Sequence, residues 1–199
     1  MKCGITSVAL LSLVALPAAA RASVITSVER LDGGNLPAVH SDPPFDTFTT
    51  QVWNDYTFLW GPTPGYLRGA DQVLTSLNDD TADPDYRLRL SLSRDANVYL
   101  IVDDRVPGGV AAHMPWVAQL GFADTGDDAV WNLAGRFVNA SIYRAAVPAG
   151  DLVLREQNTS PNDALMYVVG ATPVPEPAIG WVGAAAAVPL ALRRRRRRP

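Results

Sequence analysis

Short runs of alternating or wholly apolar residues dominate the middle of the chain. In residues 86–93 (YRLRLSLS) apolar and polar side chains alternate, which is the period of a strand with one buried face. Residues 98–102 (VYLIV) are apolar on both faces and predict a central strand, so the polar turn between the two runs predicts an antiparallel hairpin. The same patterns predict further strands at 24–31, 52–59, 66–77, 116–122, 136–143, 152–155 and 165–169.

The spacing of these runs indicates the fold class. Gly, Pro, Asn and Asp separate them, and no long stretch has a helical period. About eight or nine short strands in roughly 150 residues are typical of two packed sheets. We therefore predict an all-β domain over residues 23–172, an antiparallel two-sheet β-sandwich of jelly-roll type, in which residues 127–133 are the best helix candidate.

The first 22 residues have the pattern of an export signal. A basic start precedes an apolar run over residues 5–16, and Ala-Arg-Ala at 20–22 has the small residues that signal peptidase requires. An apolar run of about 12 residues is too short to span a bilayer. We predict a signal helix that signal peptidase removes before Ser23, together with Cys3, the single cysteine of the chain.

Residues 173–199 have the pattern of a membrane-anchored tail. The motif Val174, Pro175, Glu176 and Pro177 is predicted to be extended, because each proline fixes its own φ and restricts the residue before it. An apolar stretch over residues 178–192 then predicts a C-terminal transmembrane helix. The cationic residues after it form a cytoplasmic stop; they are Arg193, Arg194, Arg195, Arg196, Arg197 and Arg198.

This arrangement resembles the PEP-CTERM sorting segments of bacterial exported proteins. The resemblance lies in the order of the motif at 174–177, the apolar segment and the arginines, with a matching N-terminal signal. It implies that an exosortase-like enzyme removes the tail near the motif, so that the body reaches the cell surface or the extracellular matrix. A permanent membrane anchor is the alternative.

The charge of the chain is distributed unevenly. The net charge of −3 hides a body, residues 23–174, with 9 Arg, no Lys and 19 Asp or Glu, which is a net charge of −10. Export of the body argues against an RNA-binding role for the arginine tract, so we predict no nucleic-acid partner.

Clustered carboxylates are the candidate metal ligands. Asp79 and Asp80 follow Asn78, and Asp127 lies in the acidic run 124–128. Ca²⁺ prefers such oxygen ligands from loops, although no EF-hand spacing is present. The sequence therefore predicts either a structural Ca²⁺ site at Asp79, Asp80 and Asp127 or simple turns capped by these side chains, and no other cofactor.

Aromatic residues within segment 52–59 and directly after it are the candidate sugar contacts. On a strand, Tyr56 and Trp60 would share one face and could stack on a pyranose ring. The alternative is that these rings fill the core between the sheets.

The body also resembles galactose-binding jelly-roll domains of secreted bacterial proteins. The resemblance lies in Gly69-Ala70-Asp71, in Asn78-Asp79-Asp80, and in the predicted hairpin over residues 86–103. It implies a sugar-binding or structural β-sandwich and not a catalytic centre. Exopolysaccharide is the candidate partner.

Catalytic residues are not evident in the sequence. Both histidines, His40 and His113, lie in turn-rich stretches, and no Gly-x-Ser-x-Gly elbow is present. We therefore predict a structural or adhesive surface protein without catalytic activity. The alternatives are a carbohydrate-binding module and, second, a glycan-active enzyme that uses two carboxylates.

Overall fold

The computed structural model describes residues 22–34, 37–40, 45–46, 48–77, 83–133, 135–159 and 164–175. In this part of the chain the strands are β1 (Ile25–Arg30), β2 (Ala38–His40), β3 (Leu59–Trp60), β4 (Asp71–Leu74), β5 (Arg87–Leu92), β6 (Ala96–Asp103), β7 (Ala123–Leu133), β8 (Arg136–Val147), β9 (Gly150–Arg155) and β10 (Val168–Pro173). The short helices are α1 (Val110–His113) and α2 (Trp116–Gln119), and a 3-10 turn covers Gly65–Leu67.

The strands form two antiparallel sheets that pack face to face. The smaller sheet has the order β1-β5-β9, and the larger has the order β2-β4-β10-β6-β8-β7-β3. The prediction of a mostly β, two-sheet sandwich is therefore confirmed. The predicted signal helix and transmembrane helix lie outside the described residues.

Strands β5 and β6 have the burial that their sequences predict. Burial alternates along β5, with Leu88, Leu90 and Leu92 buried, and β6 is a central strand between β10 and β8. The outer face of β5 carries charge, because Arg89 pairs with Glu29 of the neighbouring β1.

The predicted hairpin of β5 and β6 is wrong. The two strands belong to different sheets, and the turn between them carries the chain across the sandwich. Their apolar faces meet in the core between the sheets, where Leu88 and Leu90 belong to the same cluster as Val98 and Leu100. Packing the apolar face of β5 against that of β6 removes more apolar surface from water than pairing the two strands side by side in a flat hairpin would.

A second core covers the opposite face of the larger sheet. Alternate residues of β6, Tyr99 and Ile101, point into it. Its large aromatic members come from the loop before β3 and from β3 and β7; they are Phe45, Trp53, Trp60 and Trp131. Trp60 and Trp131 are cross-strand partners, and the rings of Trp53 and Trp131 lie 4.9 Å apart.

The strand predicted at 52–59 is wrong for most of its length. The segment folds back on itself, since the amide of Val52 donates to the carbonyl of Phe58 (2.8 Å). Asn54 and Asp55 cause the bend, because their side chains accept bonds from Ser76 Oγ (3.0 Å) and the Leu77 amide (2.8 Å).

Two further element predictions are also wrong. Residues 127–133 belong to β7 and not to a helix, because Ala129 and Trp131 alternate with more exposed residues and pair with β8. Residues 116–122 contain α2 and not a strand. Pro115 precedes this helix, and Gly121 follows it with a φ of 81°, which is a glycine conformation that ends helices.

The end of the body overlaps the start of the predicted tail. Pro173, which the sequence assigned to the tail, belongs to β10 together with Thr172, and the amide of Val174 donates to the carbonyl of Asp95 (3.0 Å). Among the residues that the structure describes, no helix has the length and apolar character needed to cross a membrane.

Candidate functional site

Strand β7 contains a large bulge near its start. Asp124 pairs with Tyr143 and Asp128 pairs with Ser141, so residues 125–127 stand opposite the single residue Ile142. Bulges of this kind redirect side chains and are frequent beside binding sites.

Local hydrogen bonds hold the bulge in shape. The carboxylate of Asp124 accepts a bond from the amide of Gly126 (2.8 Å), and the hydroxyl of Thr125 donates to the carbonyl of Ile142 (2.9 Å). Gly126 has a φ of 74°, a conformation that side chains disfavour. The bulge therefore presents Asp127 away from the ladder.

The bulge forms one wall of a polar pocket of about 290 Å³. Tyr66, from the 3-10 turn, closes it, and its hydroxyl donates to Asp127 Oδ2 (3.1 Å). The ring of Tyr66 stacks on Tyr99 of β6, with centroids 5.4 Å apart, and remains 39% exposed. We call this the Tyr66 pocket; its lining residues are Tyr66, Ala123, Asp124, Thr125, Asp127 and Arg144.

Arg144 supplies hydrogen-bond donors to the pocket. It lies on β8 between Tyr99 of β6 and Ala123 of β7, in register with both. Its guanidinium forms no hydrogen bond or ion pair with any other described residue. Its donors are therefore available to a ligand.

Carboxylates control the electrostatics of this region. Desolvation, together with the charges of Asp104, Asp124 and Asp127, raises the pKa of Asp128 above its usual value. Burial and the acceptor carboxylate of Asp127 raise the pKa of Tyr66 above its usual value, so the phenol is a neutral hydrogen-bond donor.

The two predicted sugar contacts have different environments. Tyr56 is 48% exposed and its ring lies 4.8 Å from that of Phe58. Trp60 is fully buried in the second core, where its indole N–H donates to Gln72 Oε1 (3.1 Å) and its ring packs on Phe45. The prediction of a sugar contact at Trp60 is therefore wrong, because no face of the ring is accessible.

The predicted Ca²⁺ ligands are not seen together. Asp127 lines the Tyr66 pocket, whereas Asp79 and Asp80 lie outside the described residues. The described residues contain no cluster of three or more His, Cys, Asp or Glu side chains with the geometry of a metal site.

The residue types considered for catalysis are the two histidines and pairs of carboxylates, and the structure gives their positions. His40 lies in β2, and His113 ends α1, with its Nδ1 2.7 Å from the carbonyl oxygen of Asn158. Asp124 and Asp127 line one pocket, a pairing that their spacing in the sequence did not single out.

Sequence reasoning missed Tyr66 and Arg144 as site residues. Neither has a distinctive neighbourhood in the sequence, and the fold brings them together from a turn and a distant strand. The acidic, glycine-containing run 124–128 could have indicated a bulge, since it interrupts the apolar alternation of β7.

No family model matches the sequence, and no curated protein matches it. A solved structure of a β-glucuronidase from glycoside hydrolase family 2 is similar, with a TM-score of 0.61, 17% identity and 78% of this chain covered. The match covers 15% of the length of that enzyme. At this identity the similarity establishes a shared fold.

Proposed function

We propose that this chain is an exported β-sandwich of jelly-roll type that binds a glycan in the Tyr66 pocket. It acts at the cell surface or in the extracellular matrix as a structural or adhesive protein in contact with exopolysaccharide, without catalytic activity. The observation that carries the proposal is the combination of the half-exposed Tyr66 ring, the carboxylates of Asp124 and Asp127, and the Arg144 guanidinium, which has no partner among the described residues.

The chemistry of these groups suits a sugar. A pyranose has an apolar face of C–H groups that an aromatic ring can cover, and neighbouring hydroxyls that both donate and accept hydrogen bonds. Tyr66 offers the ring, the two carboxylates are acceptors, and Arg144 is a donor. The related fold of a carbohydrate-active enzyme gives weak further support to a carbohydrate-related role.

Removal of the Tyr66 side chain tests the glycan site. We expect Tyr66→Ala to weaken binding of the best ligand on a glycan array by about tenfold or more, because it removes a stacking face and a partner of Asp127. Isothermal titration of wild type and variant with that ligand measures the effect. Tyr56→Ala is the matched control, since Tyr56 is also a surface tyrosine, somewhat more exposed than Tyr66, but lies outside the pocket, and equal losses for both variants would count against this site.

The absence of catalysis is tested on the same ligands. If new reducing ends appear with the wild-type protein and disappear with Asp124→Asn or Asp127→Asn, the protein is a glycan-active enzyme and not a binding protein without catalytic activity.

Export and sorting form the second part of the proposal. Signal peptidase cleaves before Ser23, and an exosortase-like enzyme cleaves near the motif at 174–177, for which the order of motif, apolar segment and arginines is the support. Mass spectrometry of the released protein should show Ser23 at its N-terminus and no residues after 177. In a Glu176→Ala variant we expect the tail to be retained, and an intact arginine tail on released wild-type protein would refute processing.

A further inference from the structure

Carboxylates surround the Tyr66 pocket beyond the two that line it. Asp124 and Asp128 pair with Tyr143 and Ser141, which are alternate residues on the same face of β8. Asp104 lies beside the same Ser141, whose amide and hydroxyl donate to its Oδ1 at 2.8 and 2.6 Å. Asp104 and Asp128 therefore lie at the back of the bulge that forms the pocket wall.

The cation of the pocket does not offset these charges. Arg144 contributes one positive charge to a lining that already holds Asp124 and Asp127. Asp104 and Asp128 add two carboxylates behind the pocket wall, on the face of β8 that carries Ser141 and not on the face that carries Arg144. Desolvation, together with the charges of Asp104, Asp124 and Asp127, raises the pKa of Asp128.

We propose that the Tyr66 pocket selects uncharged sugar units and discriminates against uronate units. This inference rests on the proposed glycan site and specifies its substrate class. A uronate carboxylate in the pocket would approach Asp124 and Asp127, while Asp104 and Asp128 would repel it more weakly from behind the wall, and each repulsion adds to the cost of binding. The donors of Arg144 then serve a sugar hydroxyl, and its positive charge is not used to hold an anion.

Matched ligands test the selection directly. Neutral β-glucan, galactan and mannan are each compared by calorimetry with the same polysaccharide oxidised at C6, which converts the primary hydroxyl to a carboxylate. We expect the oxidised form of the bound glycan to bind about tenfold more weakly at low ionic strength. The difference should shrink in 1 M NaCl, where the screening length falls to about 3 Å.

Charge variants separate local repulsion from a steric effect. Asp128→Asn should strengthen binding of the oxidised glycan about twofold to threefold and leave the neutral glycan unchanged, since Asp128 does not line the pocket. Asp85→Asn, an identical charge change in the turn before β5, is the control and should alter neither. A difference that persists unchanged in salt and in Asp128→Asn would assign the discrimination to shape and overturn the inference.

The outcomes also distinguish this inference from the proposed function. Equal or tighter binding of the oxidised form, still lost in Tyr66→Ala, would overturn neutral-sugar selection and keep the glycan site. Failure of every neutral and oxidised glycan to bind would reject the proposed function, and the inference with it.

Discussion

Replacing Trp60 by alanine is expected to lower the free energy of unfolding by about 3–5 kcal/mol, the range for a large buried aromatic residue. Trp60 is fully buried against Phe45 and Trp131, and the second core cannot refill the volume of an indole. The change also leaves Gln72 Oε1 without its donor, while Gln72 Nε2 still binds the carbonyl of Gln51 (2.9 Å). Urea denaturation, with the midpoint and slope both fitted, measures the loss.

Two comparisons identify the cause of that loss. Tyr56→Ala should change stability by no more than about 0.5 kcal/mol, because Tyr56 lies at the surface. Trp60→Phe and Trp131→Phe remove equal volume, but the indole N–H of Trp131 has no hydrogen-bond partner among the described residues. We therefore expect Trp60→Phe to cost about 1–2 kcal/mol more than Trp131→Phe. A stable Trp60→Ala protein that has lost glycan binding would instead restore Trp60 as a sugar contact.

Strand positions were predictable wherever alternation was regular. The patterns of β5 and β6 located both strands, because burial of one or both faces leaves a direct trace in the sequence. Their pairing was not predictable, since a short polar turn is compatible with a hairpin and with a crossing between sheets. The choice between a hairpin and a crossing depends on which arrangement buries all the apolar side chains of the core. These include residues distant in the sequence, such as Leu152 and Tyr167.

The second core explains why the candidate site was only partly predictable. An aromatic-rich segment before β3 is compatible with a binding surface and with a core, and the outcome depends on β7, whose Trp131 pairs with Trp60. Asp127 was identified from the acidic run, as a metal ligand. Its partner Tyr66 comes from a turn 61 residues earlier in the chain, and no local pattern records such a contact.

Asp71 is the second position where we expect a substitution to lower the free energy of unfolding strongly, because its side chain joins the two sheets. It lies on β4 of the larger sheet, is 5% exposed, and one of its carboxylate oxygens accepts bonds from the start of the smaller sheet. The donors are the amides of Val24 and Ile25 (2.9 Å for Ile25) and the hydroxyl of Ser23 (2.7 Å). Cleavage of the chain before Ser23 would keep all three donors, whereas a cut after Val24 would remove two.

Asp71→Ala should therefore lower the free energy of unfolding by about 3 kcal/mol, since it leaves two buried backbone amides without an acceptor. Asp71→Asn keeps one acceptor oxygen and should cost less. Asp151→Ala is the matched control: this exposed carboxylate accepts one bond, from Ser91 Oγ, and its loss should cost no more than about 0.5 kcal/mol. Hydrogen exchange of the Ile25 amide should accelerate in Asp71→Ala before global unfolding, because β1 is an edge strand that this carboxylate secures. An Asp71→Ala protein as stable as the Asp151→Ala control would show that β1 is held by its pairing with β5 and by apolar burial alone.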